Sequence, residues 1–248
     1  MIPPQEAWAR LEALGLSKSA VTVLFDHFAD AEARGKQGHG FSRVVWLESQ
    51  EFDRDAVPWK QAGDGAVDRW DGAGALGYLT LSAICDDVLA DPPRGARLIV
   101  AERCFPTGAL GYWVRRLADA GYVALLTATS PRRLAPPGGG MPLTGTNPLA
   151  IGIPSTNDDP VVVDVSMGAV THGDVIAGLA AADELVPFGG PLAHKAFALA
   201  VGLEMLVTAL AGEEHGAVLI VARPEHDPVP ALRTQAGETR LPGDGSPA

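Results

Sequence analysis

The stretch from Ala96 to Ala128 constrains the fold of this chain more than any other part of the sequence. Two apolar runs rich in branched residues, "ARLIVAE" and "YVALLTA", lie on either side of an amphipathic segment, "GALGYWVRRLADA". Such runs are typical of strands, and the segment between them has the pattern of a helix that Gly121 ends. A strand–helix–strand unit needs a sheet against which its helix can pack, so the sequence predicts an α/β fold.

Further runs extend this unit into a mixed sheet flanked by helices. The runs "PLAIGIP", "PVVVDVS" and "GAVLIVA" predict strands, and "SRVVWLES" predicts a short strand or a buried segment. From Ser17 to Arg34, apolar residues recur at helical spacing, and Ser17 is the expected N-cap. Other helices are predicted at residues 5–13, 76–91, 173–182 and 194–211, and loops at 52–75 and 130–146.

The chain is divided by these patterns into three regions. Residues 1–50 form an N-terminal helical segment, and residues 51–222 form the mixed-sheet core. Residues 223–248 are rich in proline, glycine and charge, and we expect them to be a mobile C-terminal tail.

The composition limits the partners and the compartment. A formal net charge of −11 argues against a nucleic-acid surface or an anionic membrane as partner. Two cysteines and an N-terminus without an apolar leader predict a reduced, cytoplasmic protein. The longest apolar run, "AFALAVGLEMLVTALAG", is interrupted by Glu204 and predicts a buried helix rather than a membrane span.

The segment "GAGALG", Gly72 to Gly77, has the spelling of a dinucleotide-binding fingerprint. Such glycines bind a pyrophosphate only between an apolar strand and a helix. The preceding "GAVDRWD" is too polar for a buried parallel strand, and no acidic residue ends a second strand about 20 residues further on. The sequence therefore predicts a loop leading into the next helix and not a Rossmann site.

The segment "GKQGHGFSR" places His39 between two glycines and Arg43 four residues later. Gly35 is expected to end the preceding helix in the left-handed conformation. The rest is either an ordinary turn or a place where a small substrate comes close to the backbone. A histidine can give a proton near neutral pH, and an arginine matches a carboxylate in geometry and charge.

Three other segments carry candidate residues. The glycines of "APPGGGMPLTGTNPLA" form either an anion-binding nest or a flexible loop, and Pro148 is expected to hold Asn147 extended. Asp164, at the end of "VVVDVS", is either a helix cap or a catalytic carboxylate. Lys195, beside His194 in the first turn of the most apolar helix, either binds an anion or lies in solvent. No histidine or cysteine has metal-ligand spacing, so no metal site is expected.

In their order along the chain, these motifs resemble the type-2 malate/L-lactate dehydrogenase family, which includes ureidoglycolate dehydrogenase, diketogulonate reductase and Δ1-piperideine-2-carboxylate reductases. The resemblance extends from about residue 5 to residue 243. Its most specific parts are "HGxxR" at His39–Arg43 and "GTNPLA" at Gly145–Ala150. It implies a non-Rossmann mixed sheet, an NADPH or NADH cofactor and a homodimer. The implied reaction reduces a carbonyl or imine beside the carboxylate of a small molecule.

The resemblance also implies roles for individual residues. His39 falls on the family's active-site histidine, the proton donor, and Asp164 falls on the aspartate that acts with it. Arg43 falls on the arginine that binds the substrate carboxylate. The remaining matches are substrate-pocket positions at Thr146 and Asn147, and cofactor-pocket positions at Gly139, His194 and Lys195.

The chain also departs from the family. Where relatives have serine, histidine, serine and glycine, this chain has Gly38, Pro106, Gly168 and Ala196, and two stretches are shortened. Three functions stay open. The first is an NAD(P)H-dependent reductase of a small 2-oxo acid or cyclic imine carboxylate in a specialised biosynthetic pathway. The second is a cofactor-independent acid–base catalyst (an isomerase, cyclase or lyase), and the third is a non-catalytic partner subunit. A non-catalytic subunit has no need of the acid–base residues, so their retention argues against the third.

Overall fold

The computed structural model describes residues 2–62 and 67–244. Its strands are β1 (Trp59–Lys60), β2 (Val67–Asp71), β3 (Ala96–Glu102), β4 (Val123–Ala128), β5 (Leu149–Ile153), β6 (Val161–Val165) and β7 (Ala217–Ala222). Within the described residues they form one seven-stranded sheet in the order β1-β2-β3-β7-β4-β5-β6. β2 and β3 are parallel, and the other neighbouring pairs are antiparallel. The predicted mixed α/β fold is confirmed, and it is not the parallel sheet of a Rossmann domain.

The helices are α1 (Pro4–Ala13), α2 (Lys18–Ala33), α3 (Ser42–Glu48), α4 (Gly77–Ala90), α5 (Leu110–Asp119), α6 (His172–Ile176), α7 (Ala193–Ala211) and α8 (Val229–Ala236). As predicted, the hydroxyl of Ser17 caps α2 by accepting a hydrogen bond from the backbone N–H of Ala20 at 3.2 Å. Gly35 follows α2 with a φ of 71°, which ends the helix as expected.

Helices cover both faces of the sheet. Ile99 and Leu219 lie in the main core together with residues of α1, α2, α4 and α5. Their neighbours Val100 and Val218 pack instead against Val207 of α7. Because successive residues of a strand point to opposite faces, α7 covers the face opposite to the other helices. The N-terminal helices share the main core with the sheet, and the three regions drawn from the sequence stay a prediction.

Two segments differ from the expectation. "SRVVWLES" is helix α3 and not a strand, because the buried Val44 and Leu47 are spaced for one helical face and Val45 between them is exposed. The stretch 52–75, expected to be a loop, contains β1 and β2. The polar residues of β2 are stabilised across the sheet, since Asp68 accepts a hydrogen bond from Nε of Arg97 at 2.8 Å.

β2 also changes the interpretation of "GAGALG". The glycines do follow a strand parallel to β3 and lead into α4, so the expectation that "GAVDRWD" is too polar for a parallel strand is wrong. Gly77 has a packing role, because a Cβ there would lie 2.8 Å from the backbone nitrogen of Phe105. The antiparallel partners of β3 on its other side still exclude a doubly wound parallel sheet.

The C-terminal half contains two more differences. α6 is shorter than the helix predicted at 173–182 and ends before Gly178, whose φ is 71°. The expected mobile tail contains α8 and is bonded to the sheet. The backbone N–H of Val162 donates to the carbonyl of Pro242 at 3.0 Å, and Arg233 pairs with Asp244 at 3.0 Å.

Candidate active site

A cavity of about 340 Å³ lies where the carboxyl ends of β3, β4 and β6 meet. Its walls are the turn between α2 and α3, the loops after β3 and β4, and the segment that joins β6 to α6. The polar and charged residues that line it include Lys36, His39, Arg43, Ser130, Arg133, Thr146, Asp164, Ser166, Thr171, His172 and Asp174. Of the residues predicted from the sequence, His39, Arg43, Thr146 and Asp164 are brought together here.

His39 lies at the end of a 3-10 turn, Gln37–His39, between α2 and α3. Its Nδ1 atom is buried and has no hydrogen-bond partner among the described residues. Burial, followed by the positive charge of Arg43, lowers the pKa of His39 to about 4, and the negative charge of Asp164 opposes this only in part. The imidazole is therefore neutral at neutral pH in the free protein.

The glycines beside His39 make room for protein groups rather than for a substrate. A Cβ at Gly38 would lie 2.7 Å from the backbone nitrogen of Asp174 and would contact the carboxylate of that residue. A Cβ at Gly40 would meet the carboxylate of Glu32, which accepts a hydrogen bond from the backbone N–H of Phe41 at 2.8 Å. The close approach of α6 therefore disfavours any side chain at position 38, including the serine that the resemblance implies there.

Arg43 is the most unusual cation of the cavity. Arg43 is only 6% exposed, and its guanidinium carbon lies 4.4 Å from the centre of the Trp46 ring. Its Nε and Nη1 atoms are buried without a partner, and no acidic side chain within the described part of the chain pairs with it. A buried guanidinium needs an anion with hydrogen-bond acceptors, and a carboxylate supplies both.

Asp164 is held beside these two residues by Lys36. The Nζ atom of Lys36 donates to Oδ2 of Asp164 at 2.6 Å, and the Asp164 side chain is 11% exposed. Asp164 is not a helix cap, since the hydroxyl of Thr171 caps α6 by accepting from the N–H of Asp174 at 3.1 Å. On its other side, Gly111 of α5 leaves room for the Asp164 side chain.

Asn147 does not line the cavity. Its amide nitrogen donates to Oε2 of Glu204 at 2.6 Å and to the carbonyl of Ala200 at 3.1 Å, which binds the loop before β5 to α7. Its φ is 28°, so the expectation that Pro148 holds it extended is wrong. The two bonds to α7 account for this conformation, because they fix the side chain.

The three residues expected to bind the cofactor lie outside the cavity lining. Gly139 is exposed at a φ of 97°, in a loop with Gly138 and Gly140, and its N–H donates to the carbonyl of Pro136 at 3.0 Å. His194 and Lys195 are exposed in the first turn of α7. Their part in cofactor binding stays a prediction.

Lys36, Arg133 and His172 were missed by sequence reasoning. Burial, then the charges of Arg133 and Arg43, lower the pKa of His172 to about 4, so its imidazole is also neutral at neutral pH. Only the position of Lys36, three residues before His39, gave a signal that could have found one of them. Among residues 2–62 and 67–244, no three His, Cys, Asp or Glu side chains are grouped as metal ligands.

A second cavity, of about 520 Å³, adjoins the first and shares Trp46, Phe105 and Pro106 with it. Pro106, where the family resemblance implies a histidine, lies in the wall between the two. The second cavity is also lined by Glu213 and Glu214. Arg103 and His215 line it as well, so its wall carries both signs of charge.

Comparison with known proteins identifies the class of this molecule. The malate/L-lactate dehydrogenase family model matches residues 5–180. The Delta(1)-pyrroline-2-carboxylate/Delta(1)-piperideine-2-carboxylate reductase of Pseudomonas putida is 30% identical over 247 residues, with 85% of this chain and 71% of the relative covered. The (2R)-3-sulfolactate dehydrogenase (NADP(+)) of Chromohalobacter salexigens is 33% identical over 193 residues, with 75% of this chain and 57% of the relative covered.

A solved structure agrees with this result. The delta1-piperideine-2-carboxylate reductase of Pseudomonas syringae superposes with a TM-score of 0.78 at 25% identity, with 98% of this chain and 91% of the other covered. The fold and the matching relatives define a nicotinamide-dependent oxidoreductase. The chain belongs to the malate/L-lactate dehydrogenase family.

Proposed function

We propose that this protein reduces the carbonyl of a small 2-oxo acid, or the imine of a small cyclic imine carboxylate, with NADH or NADPH. The observation that carries the proposal is the buried guanidinium of Arg43, which has no acidic partner among the described residues and lines a cavity with His39 and Asp164. Relatives that are reductases of pyrroline-2-carboxylate and of 2,3-diketo-L-gulonate support a small carboxylate substrate.

Arg43 binds the substrate carboxylate in this proposal. A guanidinium can donate two parallel hydrogen bonds to the two oxygens of a carboxylate, and this contact neutralises its charge. The Trp46 ring beneath the guanidinium fixes its plane, and so the direction in which the carboxylate approaches. The carbon next to the carboxylate is thereby directed toward His39.

His39 gives the proton. A nicotinamide cofactor, when bound, would supply the hydride for the carbonyl or imine carbon, and His39 would give the proton that the substrate oxygen or nitrogen then needs. Burial is the main cause of the low pKa of His39 and the charge of Arg43 is the second, so an anion on Arg43 removes only the second cause and raises the pKa in part. The charge of Asp164, which Lys36 holds in place, also raises the pKa of His39.

The cavity suits the reactive end of the cofactor and not a whole dinucleotide. About 340 Å³ accommodates a small carboxylate with a nicotinamide ring, against the apolar wall of Phe105 and Pro148. The phosphates then lie outside the cavity. Lys195 and the loop around Gly139 are our candidates for them, because a lysine and glycine amides both bind anions.

We further propose a cytoplasmic homodimer in which a second copy covers α7. Judged by length and composition alone, α7 is apolar enough to cross a membrane. Little of it is buried. Leu199 and Met205 are 52% and 63% exposed on it. Its other side packs on β3, β4 and β7, and Glu204 binds Asn147, so α7 is part of the folded sheet. Sedimentation of the wild type and of Leu199→Glu, which measures their oligomeric state, tests this proposal. We expect a dimeric wild type and a weakened dimer in Leu199→Glu, and a monomeric wild type contradicts the proposal.

The test of the reductase is the oxidation of NADPH and NADH, followed by absorbance, with a panel of substrates. The panel contains pyruvate, 2-oxobutyrate and Δ1-piperideine-2-carboxylate, and the matched carbonyl compounds that lack the carboxylate. We expect turnover only with the carboxylates, and a loss of about a hundredfold or more in His39→Ala. Equal turnover of compounds without a carboxylate contradicts the role of Arg43, and no oxidation of either cofactor contradicts the reductase.

A further inference from the structure

We propose that His27 is a positioning residue of the proposed reductase. Its neutral imidazole holds the cavity wall Phe105–Ala109 from behind and so fixes the surface that receives the nicotinamide ring. The inference rests on the proposed function for its effect on turnover, and on the contacts of His27 alone for its effect on the wall. His27 belongs to α2, is fully buried and does not line the cavity itself.

The wall Phe105–Ala109 is a short stretch of backbone after β3, and all five of its residues line the first cavity. Two buried side chains that do not line the cavity bind it. Nε1 of Trp113 donates to the carbonyl of Thr107 at 2.9 Å. Nε2 of His27 accepts a hydrogen bond from the backbone N–H of Ala109 at 3.1 Å. Both bonds are buried, so the wall is held by the core behind it and not by solvent-exposed contacts.

His27 lies so close to the wall that a glycine is needed at the point of contact. Gly108 has a φ of 70°, and a Cβ there would lie 2.8 Å from Cε1 of His27. The same Cβ would also meet Nε2 of His27 and the ring of Tyr78. Because no flexible side chain lies between the imidazole and the wall, a shift of the imidazole moves the wall directly.

The bond to Ala109 requires one protonation state of His27. Because Nε2 accepts from an N–H, the ring proton is on Nδ1. Burial, followed by the charges of His39, Arg43 and Lys36, lowers the pKa of His27 well below its usual value. The imidazole is therefore neutral at neutral pH, and Nε2 stays an acceptor. A proton on Nε2 would face the N–H of Ala109 and break the bond.

The site of His27 is unfavourable for a polar side chain, and this indicates what the histidine does. Nδ1 is buried and has no hydrogen-bond partner among residues 2–62 and 67–244. The centre of the ring lies 4.7 Å from that of Tyr112, 4.9 Å from that of Tyr78 and 5.1 Å from that of Trp113. A phenylalanine would fill such an aromatic site and leave no ring donor unpaired. It has no acceptor, so the bond to Ala109 is what distinguishes histidine here.

Loss of this bond should affect hydride transfer and not the binding of the carboxylate. In the proposed function, the nicotinamide ring lies against Phe105 of the wall, whereas the carboxylate binds to Arg43 of α3. A displacement of about 1 Å between reacting groups can cost about a hundredfold in rate. A loosened wall should therefore lower kcat and leave the KM for the carboxylate substrate unchanged.

Two variants of His27 separate the acceptor from the ring. His27→Phe keeps an aromatic ring and removes the acceptor, whereas His27→Gln removes the ring and keeps an amide oxygen that can reach the position of Nε2. We expect His27→Phe to lower kcat about tenfold or more at an unchanged KM, and His27→Gln to recover most of this loss. Phe28→Leu is the matched control, because Phe28 is buried in the same helix and contacts Tyr78. It should lower the stability and leave kcat unchanged.

Two NMR measurements on the protein without cofactor test the bond itself. At neutral pH, the ring of His27 should carry a proton on Nδ1 and none on Nε2. Hydrogen exchange of the Ala109 amide should be about tenfold faster in His27→Phe than in the wild type, the effect of one lost hydrogen bond. In His27→Gln and in Phe28→Leu the exchange should stay close to that of the wild type.

Several outcomes overturn the proposal. It is wrong if Nε2 carries the proton, if the Ala109 amide exchanges equally in the wild type and His27→Phe, or if His27→Gln lowers kcat as much as His27→Phe. It is also wrong if Phe28→Leu lowers kcat to the same extent, since the effect then comes from a loosened core. His27→Leu replaces His27→Phe if thermal unfolding shows that the latter is unfolded. If the wild type reduces no carbonyl compound while exchange of the Ala109 amide depends on His27, the reductase is refuted and the positioning of the wall stands.

Discussion

Replacing Gly38 by the serine that the family resemblance implies there should destabilise this protein. A Cβ at Gly38 would lie 2.7 Å from the backbone nitrogen of Asp174 and 2.8 Å from the carbonyl carbon of Gly173. Backbone atoms cannot rotate away, so α6 and the turn of His39 must separate. Overpacking of this kind costs about 1 to 3 kcal/mol. At about 2 to 4 °C per kcal/mol for a chain of this size, Gly38→Ser should lower the Tm by about 2 to 12 °C.

Thermal unfolding followed by circular dichroism measures this shift. Gly38→Ala adds the same Cβ without the hydroxyl and should be destabilised to a similar extent. Gly95→Ala is the matched control, because a Cβ there has no atom within 4 Å. A Gly38→Ser protein with the Tm of the wild type would show that α6 does not pack on this glycine. A loss as large in Gly95→Ala would show that the effect is not specific to the contact.

Three further predictions concern the cavity. Arg43→Lys should raise the KM for the carboxylate substrate about tenfold or more, because an ammonium cannot make the two-pronged contact. An unchanged KM would show that Arg43 does not bind the carboxylate and has only a structural role. Lys36→Met should raise the pKa of His39 above its value of about 4, since the ammonium is one of the charges that lower it. Histidine NMR measures this pKa, and an unchanged value contradicts the proximity of Lys36 to His39. The folded protein holds the pKa values of both His39 and His172 near 4, below the unfolded value of 6.5, so the unfolded chain binds more protons between these limits. The free energy of unfolding contributed by these two histidines should therefore be complete above about pH 6.5 and decrease toward pH 4. Urea unfolding at several pH values measures it, and the decrease should be shallower in the double variant His39→Gln/His172→Asn. An equal decrease in the wild type and the double variant would refute this prediction.

Local patterns were enough to predict most of the fold. The strands β3 to β7 and the long helices have unambiguous apolar runs, and α2 begins at Ser17 and ends at Gly35 as the chemistry of these residues requires. Two of the failures have a cause in common. β2 is a strand despite its polar residues because ion pairs across the sheet stabilise them, and "SRVVWLES" is a helix because its buried side chains pack into a core assembled from distant segments. Neither effect is visible within a window of the sequence.

The candidate site was predictable only in part, for a similar reason. His39 and Arg43 are four residues apart, so one turn of chain places them together. Asp164 was selected through a family resemblance, and its bond to Lys36 joins residues 128 positions apart. Arg133 gave no signal, because an arginine in a loop is normally solvated and only the fold shows that it lacks a counterion.

Transfer of deuterium from the cofactor to the product tests the central claim most directly. The protein is incubated with NADPH or NADH deuterated at C4 of the nicotinamide, on either face, together with a 2-oxo acid or cyclic imine carboxylate that it consumes. Mass spectrometry should show one deuterium on the carbon next to the carboxylate, from one face of the cofactor only, and no product with Arg43→Ala. A product without deuterium, or one formed without any cofactor, would contradict a reductase and favour acid–base catalysis in the same cavity.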